Sequence, residues 1–191
     1  MNKVEIHCDC HEVKIELLNF PKSCAGRVTC YCDDCQKYLK KIGREELMDN
    51  YGGSEIIPIH PGCFNIVEGQ ENLICYSLSP RGLRRWTAKC CNTPIANTTS
   101  SLPWMGLSSA VFENSRLNRE KELGEIKVRV MGKFMQGKAP FKVSQKVKLS
   151  DLFKLWPFFM KGLLFKKLKK NPLFQEDGST PISPIVLLKK D

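Results

Sequence analysis

Residues 30–35 read CYCDDC, so three cysteines stand in a C-x-C-x-x-C cluster. The C-x-x-C half has the spacing at which a tight turn aims two sulfurs at one zinc ion, and the alternate residue Cys30 would project to the same side of an extended strand. A fourth thiolate would close a structural site, whereas an open fourth position would accept water, a substrate or a substrate thiol. Spacing alone leaves these two interpretations about even.

A second group of cysteines is divided between two distant parts of the chain. Cys8 and Cys10 form a C-x-C pair, and Cys90 and Cys91 follow about 80 residues later. One ion held by both pairs would join distant strands and stabilise the fold directly. Because neighbouring side chains diverge on an extended backbone, we favour Cys91 as a ligand and rank Cys90 below it.

The other cysteines and the N-terminus bear on the cellular compartment. Residues 1–20 mix charged residues with apolar ones and lack the apolar stretch of a secretory signal, which predicts a cytoplasmic protein. In a reducing compartment, ten cysteines indicate metal ligands or reactive thiols rather than disulfides. Cys24, Cys63 and Cys75 lie outside both clusters and are predicted to be small core residues.

The first two thirds of the chain predict a mainly β fold. Short runs rich in β-branched and aromatic residues, at 4–6, 13–17 and 74–78, alternate with turn-forming residues, as in an antiparallel domain. Residues 126–131 alternate apolar and basic, which indicates a half-exposed strand. One helical stretch is predicted over 33–49, starting at the CYCDDC cluster.

The net charge of +10 lies in the last third of the chain. Residues 1–120 hold 14 basic and 14 acidic residues, whereas residues 121–191 hold 16 basic and 6 acidic residues. A neutral body with a basic tail argues against a nucleic-acid-binding protein and favours contact of the tail with an anionic surface. The pattern predicts a zinc-binding domain over 1–148 and a basic amphipathic helical tail over 149–191, starting near Ser150 and Asp151 and with Pro157 opening a second helix.

The mixture of apolar and basic residues in the tail is compatible with two arrangements of its helix. Between residues 152 and 170, apolar side chains accompany six lysines and no acidic residue, as in a helix that lies in a membrane interface. Alternatively, the apolar face covers the β domain and the lysines are solvated, which is the commoner use of an amphipathic helix. We predict packing on the domain first, and salt-sensitive peripheral membrane contact second.

The cysteine motifs resemble those of a known family, the glutathione-dependent formaldehyde-activating enzymes and the related centromere protein V. That family's pattern runs C-x-C-G-x-V, C-x-C-x-x-C, G-x-x-x-L-x-x-Y and R-x-F-C-x-x-C-G-T. The corresponding segments here are residues 8–13, 30–35, 69–76 and 85–93. The resemblance covers residues 5–97, about half of the chain, and implies a β-tent fold.

The resemblance also implies one or two zinc ions. Cys8, Cys10 and Cys91 match the ligands of a structural zinc, and Cys30, Cys32 and Cys35 match those of a catalytic zinc. Several residues depart from the pattern of the structural site, where Ala88 replaces a cysteine, His11 and Asn92 replace glycines, and Thr87 replaces an aromatic residue. Either Cys90 takes the place of Ala88 as a ligand, or the structural site is incomplete.

Two functions from different classes follow. The resemblance implies a zinc-dependent carbon–sulfur lyase, in which glutathione or another small thiol binds the open zinc and forms or cleaves an adduct with an aldehyde. Basic residues that follow the CYCDDC cluster or precede Cys90 and Cys91 would hold a charged thiol, or would each belong to a solvated basic face; they are Lys37, Lys40, Lys41, Arg44, Arg81, Arg84 and Arg85. The alternative is a non-catalytic, zinc-stabilised binding module whose basic tail docks on a membrane or a protein partner.

Overall fold

The structure, a computed structural model, describes residues 3–100, 102–113, 115 and 117–188. Within them, the strands are β1 Lys3–His7, β2 Lys14–Leu18, β3 Arg27–Cys30, β4 Ser54–Ile59, β5 Phe64–Glu68, β6 Leu73–Ser77, β7 Arg84–Ala88, β8 Thr93–Thr98, β9 Met105–Ser108, β10 Ile126–Val130 and β11 Ile185–Leu187. The α-helices are α1 Asp33–Lys41, α2 Ala110–Glu113, α3 Arg119–Leu123 and α4 Leu149–Leu164. Short 3-10 turns occupy Glu45–Leu47, Pro61–Cys63, Gln70–Asn72, Gly132–Phe134 and Lys166–Leu168.

The strands form two sheets. A three-stranded sheet has the order β1-β2-β5, and an eight-stranded sheet has the order β10-β3-β4-β9-β8-β7-β6-β11. Neighbouring strands are antiparallel except at the two edges of the large sheet, where β10 pairs with β3 and β11 pairs with β6 in parallel. The predicted mainly β class, with a helix near the C-terminus, is confirmed.

The core lies where the two sheets face each other. In β2, Ile15 and Leu17 are buried while Lys14 and Glu16 are partly exposed, as expected when successive side chains point to opposite faces. They belong to the same buried cluster as Trp86 of the large sheet, together with Ile57, Ile59, Ile95, Met105 and Leu107. This packing fixes the turn between β1 and β2, which carries Cys8 and Cys10, relative to the turn between β7 and β8, which carries Cys90 and Cys91.

The helix after the CYCDDC cluster is shorter than predicted. It ends at Lys41 with Ile42 as its C-cap, and only a 3-10 turn at Glu45–Leu47 follows, so the prediction of a helix over 33–49 is wrong in its second half. Gly43, with φ of 69°, adopts the left-handed conformation that commonly ends a helix. The apolar residues beyond it therefore continue the helical spacing without belonging to the helix.

Pro157 does not open a second helix, because α4 runs continuously from Leu149 to Leu164 and contains it. The helix begins with the Lys148 N–H donating to the Asp151 carboxylate at 3.0 Å. Phe158 is buried and stacks on His60 at 4.1 Å between ring centroids. This packing against the domain outweighs the local penalty of a proline in the helix interior.

The segment that follows α4 returns to the core. Leu173 and Phe174 are buried in the main cluster, and β11 adds a strand to the edge of the large sheet. Gly62 lies so close to this segment that a Cβ atom would clash with the Lys167 carbonyl oxygen. Across the part of the chain that the structure describes, none of the helices has the length and apolar character needed to cross a membrane.

Candidate metal centres

Four cysteines meet where the two sheets face each other. Cys8 and Cys10 lie on the turn between β1 and β2, and Cys90 and Cys91 lie on the turn between β7 and β8. The Sγ–Sγ distances are 3.6 Å from Cys8 to Cys10, 3.1 Å from Cys10 to Cys90, and 3.8 Å from Cys90 to Cys91. All four sulfurs lie within 4.8 Å of one another. Tetrahedral zinc with Zn–S bonds near 2.3 Å places its sulfurs about 3.8 Å apart, so this group is compatible with one metal ion.

The geometry of the second turn explains how both vicinal cysteines reach the group. Residues 89–92 form a tight turn rather than extended backbone, so the divergence expected of neighbouring strand residues does not apply. Ala88 is fully buried in the core at the end of β7, and Cys90, two residues later, contributes its sulfur to the group.

Left-handed residues follow both cysteine pairs. His11 has φ of 65° and Asn92 has φ of 57°, a conformation that glycine adopts without strain and asparagine tolerates. The chain therefore keeps the tight turns although neither residue is glycine. The His11 ring stacks on His7 at 3.8 Å and is not part of the sulfur group.

Thr93 organises the polar contacts around the four-cysteine group; it is the last residue of the motif at 85–93, but the sequence analysis assigned it no role. Its hydroxyl accepts from the Asp9 N–H at 3.0 Å and lies 3.1 Å from the Cys91 sulfur. Arg44 forms an ion pair with Asp9 at 2.9 Å and donates to the Thr93 hydroxyl at 3.4 Å. Arg44, predicted as a substrate-holding residue, thus contacts two residues that adjoin the four-cysteine group and links them to the loop after α1.

The thiols of this group differ in acidity. Burial raises the pKa of Cys8 and of Cys90. Burial acts in the same direction on Cys91, but hydrogen bonds involving Thr93 and Cys10 outweigh it and lower the pKa of Cys91 to about 6. A metal ion would displace the remaining thiol protons, so binding is expected to depend on pH and to release protons.

Three cysteines form a second group at the start of α1. Cys30 ends β3, Cys32 is the N-cap of α1, and Cys35 lies in its first turn. The Cys32 and Cys35 sulfurs are 3.0 Å apart, and all three sulfurs lie within 4.8 Å of one another. The Cys35 N–H donates to the Cys32 sulfur at 3.3 Å, which is how a helix N-terminus stabilises thiolate charge. Among the described residues, no fourth Cys, His, Asp or Glu ligand joins them.

A buried arginine lies beside this three-cysteine group. Arg85 is 2% exposed, and its Nη1 lies 3.8 Å from the Cys35 sulfur and 3.4 Å from the Asn97 side-chain oxygen. Its guanidinium also lies over the Tyr38 ring at 5.1 Å. Hydrogen bonds from Cys30 and Cys32, with the nearby Arg85 charge, hold the pKa of Cys35 well below its ordinary value. The sequence suggested Arg85 as a substrate-holding residue, and its position favours a role in balancing thiolate charge.

A small cavity adjoins the three-cysteine group. It has a volume of about 20 Å³ and is lined by Cys35, Arg85 and Asn97 together with residues of β4, β8 and β9. A space of that size holds one water molecule, so a larger ligand would have to reach the sulfurs from the side of Cys30 and Cys32, which are partly exposed.

The remaining candidate residues lie outside both groups. Cys63 and Cys75 are buried, as predicted, and Cys24 is partly exposed and donates to the Pro21 carbonyl at 2.9 Å. Two basic residues proposed to hold a charged thiol have other partners. Lys37 pairs with Asp33 within α1 at 2.9 Å, and the Arg84 guanidinium donates to backbone carbonyls of its own turn.

Comparison with known proteins identifies the family. Residues 1–186 match the model of a family of unknown function, DUF6151. The chain belongs to this family. A crystal structure of a Rhodobacter sphaeroides protein is similar at 24% sequence identity, with a TM-score of 0.42, over 64% of this chain and 96% of that protein. No curated protein matches the sequence.

Replacing Cys32 by Ser is expected to release one metal ion and leave the other bound. The substitution removes one of three sulfurs from the group at α1 and does not touch the four-cysteine group. Elemental analysis of the purified variant measures the loss. Cys24→Ser is the matched control, because Cys24 belongs to neither group and a serine can keep its hydrogen bond to Pro21. Equal metal content in Cys32→Ser and the unmodified protein would contradict this assignment.

Proposed function

We propose that the protein binds two zinc ions with different roles: a structural ion between the two sheets, and an ion with an open position at the start of α1. The observation that carries this proposal is the unequal number of sulfurs, four in one group and three in the other. Four protein ligands are typical of structural zinc, whereas three protein ligands leave a position for water or substrate.

Zinc suits both donor sets. Every candidate ligand is a thiol, and soft thiolates select zinc, copper(I) or iron–sulfur clusters over hard cations. Contacting sulfurs in the two groups are 3.0 to 3.9 Å apart, and all sulfurs of each group lie within 4.8 Å of one another, which is compatible with the edges of a zinc–thiolate tetrahedron, about 3.8 Å. The resemblance to formaldehyde-activating enzymes, whose two sites use the same order of motifs, supports the same metal.

At the open site, we propose that a small thiol such as glutathione supplies the fourth sulfur. When bound, zinc would stabilise the thiolate form of that sulfur near neutral pH. The thiolate adds to an aldehyde carbonyl, a carbon–sulfur bond forms, and the carbonyl oxygen takes up a proton to give a hydroxyalkyl thioether. The reverse step cleaves the same bond, so the activity would be that of a carbon–sulfur lyase.

Among the residues that the structure describes, Arg85 is the best placed to assist. Three thiolates and a thiol ligand would give a zinc site with a net negative charge, and the buried Arg85 guanidinium beside Cys35 would offset part of it. The Cys35 N–H, which donates to Cys32, and the N-terminus of α1 would contribute in the same direction. Arg85 favours the thiolate form of Cys35, and the partly exposed Cys30 and Cys32 would leave the bound ion accessible to a thiol from that side.

Cobalt substitution tests the thiol ligand. Adding glutathione to the cobalt-loaded protein is expected to increase thiolate-to-metal absorption, because a fourth sulfur joins the ion at α1. The increase should be absent with S-methyl glutathione and absent from the Cys32→Ser variant. An unchanged spectrum at saturating glutathione would refute the proposed thiol ligand while leaving the metal sites in place.

The second candidate function is a non-catalytic, zinc-stabilised binding module. Two observations favour it: the cavity beside Cys35 holds about one water molecule, and several of the basic residues have partners within the fold. In that case both metal ions stabilise the domain, and glutathione has no effect on the cobalt spectrum.

A further inference from the structure

One face of α4 exposes a continuous set of large apolar side chains. Helical spacing brings them to the same side, and we call them the α4 outer face: Leu149, Leu152, Phe153, Trp156, Leu163 and Leu164. Five of them are more than half exposed, with values of 69% for Leu149, 61% for Phe153, 53% for Trp156, 52% for Leu163 and 70% for Leu164. Contiguous exposed apolar surface of this kind marks a site of interaction.

The orientation of the helix is fixed by its opposite face. Asp151, Phe158 and Gly162 are buried against the domain and recur at helical intervals. A Cβ atom on Gly162 would meet the His60 ring at 3.0 Å, so the backbone of α4 lies close to the domain at that point. Contacts of the inner face anchor the helix on the domain. The apolar residues of the outer face therefore point away from the core.

The charges around the outer face are almost all positive. Residues 142–170 contain nine lysines and a single acidic residue, Asp151. Asp151 is buried and accepts hydrogen bonds from the Ser144 hydroxyl at 3.1 Å and the Lys148 N–H at 3.0 Å. Lys154 and Lys161 lie on one border of the outer face, and four exposed lysines follow the helix at 166, 167, 169 and 170. The exposed charge of this region is thus uniformly basic.

We propose that the α4 outer face binds the surface of an anionic phospholipid bilayer, with the helix lying in the plane of the interface. Trp, Phe and Leu side chains would enter the boundary between headgroups and acyl chains, and the lysines would contact anionic headgroups. Sixteen residues of helix are about 24 Å long, which suits a helix lying on the surface.

The positive charge around the α4 outer face favours an anionic bilayer over a second copy of the chain as its binding partner. A dimer through the α4 outer face would bring two lysine-rich borders together, and residues 142–170 contain no exposed acidic residue to pair with them. An anionic bilayer provides both an apolar phase and negative charge, which matches the outer face and its border at once.

Co-sedimentation of the full-length protein with vesicles tests this proposal. We expect binding to vesicles of equal parts phosphatidylcholine and phosphatidylserine, weaker binding at high salt, and little binding to phosphatidylcholine alone. The double substitution Phe153→Ser with Trp156→Ser is expected to weaken binding by at least about tenfold. Lys161→Glu should weaken it on the order of tenfold, through loss and reversal of one charge.

Matched controls lie elsewhere on the surface. Val67→Ser replaces a half-exposed apolar residue on β5, and Arg81→Glu reverses an exposed charge on the turn between β6 and β7. Neither should change vesicle binding, and none of the variants should change the melting temperature by more than a few degrees. Trp156 fluorescence should shift to shorter wavelength with anionic vesicles, and the shift should be lost in Trp156→Phe.

Three results would overturn the proposal. They are absence of binding to anionic vesicles, equal loss of binding in the control variants, and a dimer without lipid that Phe153→Ser with Trp156→Ser converts to monomer. The last result would assign the outer face to a second copy of the chain.

Discussion

Replacing either Cys90 or Cys91 by Ala is expected to remove one zinc ion and to lower the free energy of unfolding by several kcal/mol. The reason is the position of the four-cysteine group, which joins the β1–β2 turn of the small sheet to the β7–β8 turn of the large sheet. A metal ion held there stabilises only the folded chain, so its loss lowers stability directly. Thermal unfolding together with elemental analysis measures both effects.

The comparison of the two variants identifies the ligand set. Cys24→Ala is the control, because Cys24 lies outside both groups and its loss should leave the zinc content unchanged. If Cys90→Ala keeps its zinc and its melting temperature while Cys91→Ala loses both, Cys90 is not a ligand. If neither variant loses metal, the structural site does not exist in this protein.

Leu173→Ala is expected to lower the free energy of unfolding by about 3 kcal/mol. Leu173 follows the lysine-rich segment, yet it is 0% exposed and packs in the main core cluster. Removing its side chain leaves a cavity between the sheets and the C-terminal segment. Urea unfolding of the full-length variant measures the change.

Leu164→Ala is the matched control for that experiment. Leu164 ends α4 and is 70% exposed, so the same substitution should change stability by less than about 0.5 kcal/mol. Equal stability of Leu173→Ala and the unmodified protein would mean that the segment after α4 does not contribute to the core.

The cysteine spacing carried most of the information about the candidate site. C-x-C-x-x-C and the divided second group could be recognised from the sequence because metal-binding turns have short, regular spacings. The participation of Cys90 in this group could not be predicted. The argument against it assumed extended backbone, whereas the structure has a tight turn at residues 89–92. The asparagine at position 92 was a usable signal for this turn, since asparagine tolerates the left-handed conformation found there better than most residues.

The residues that surround the two cysteine groups could not be predicted from the sequence. Thr93 and Asp9 contact the four-cysteine group through hydrogen bonds that only the folded chain brings together. Arg85 was recognised as a basic residue, but its burial beside Cys35 depends on the pairing of β7 with β8 and on the packing of α1. Long-range pairing of this kind has no local signature.

The fold was predictable in class and less so in detail. Alternation in β2 and β10 reflects strands with one buried face, whereas the parallel pairing of β10 and β11 at the edges of the large sheet has no sequence signal. The helix over 33–49 was predicted too long because apolar spacing continued past Gly43. Pro157 was read as a helix start, although packing of Phe158 on His60 holds a single helix through it.

The zinc content of the purified full-length protein tests the central claim most directly. Elemental analysis, with the protein concentration taken from amino-acid analysis, is expected to give two zinc ions per chain, one for each cysteine group. The Cys91→Ala and Cys32→Ser variants should each give one ion, and the variant with both substitutions should give none. A value of one ion or fewer for the unmodified protein, after exposure to excess zinc and removal of unbound metal, would contradict the account.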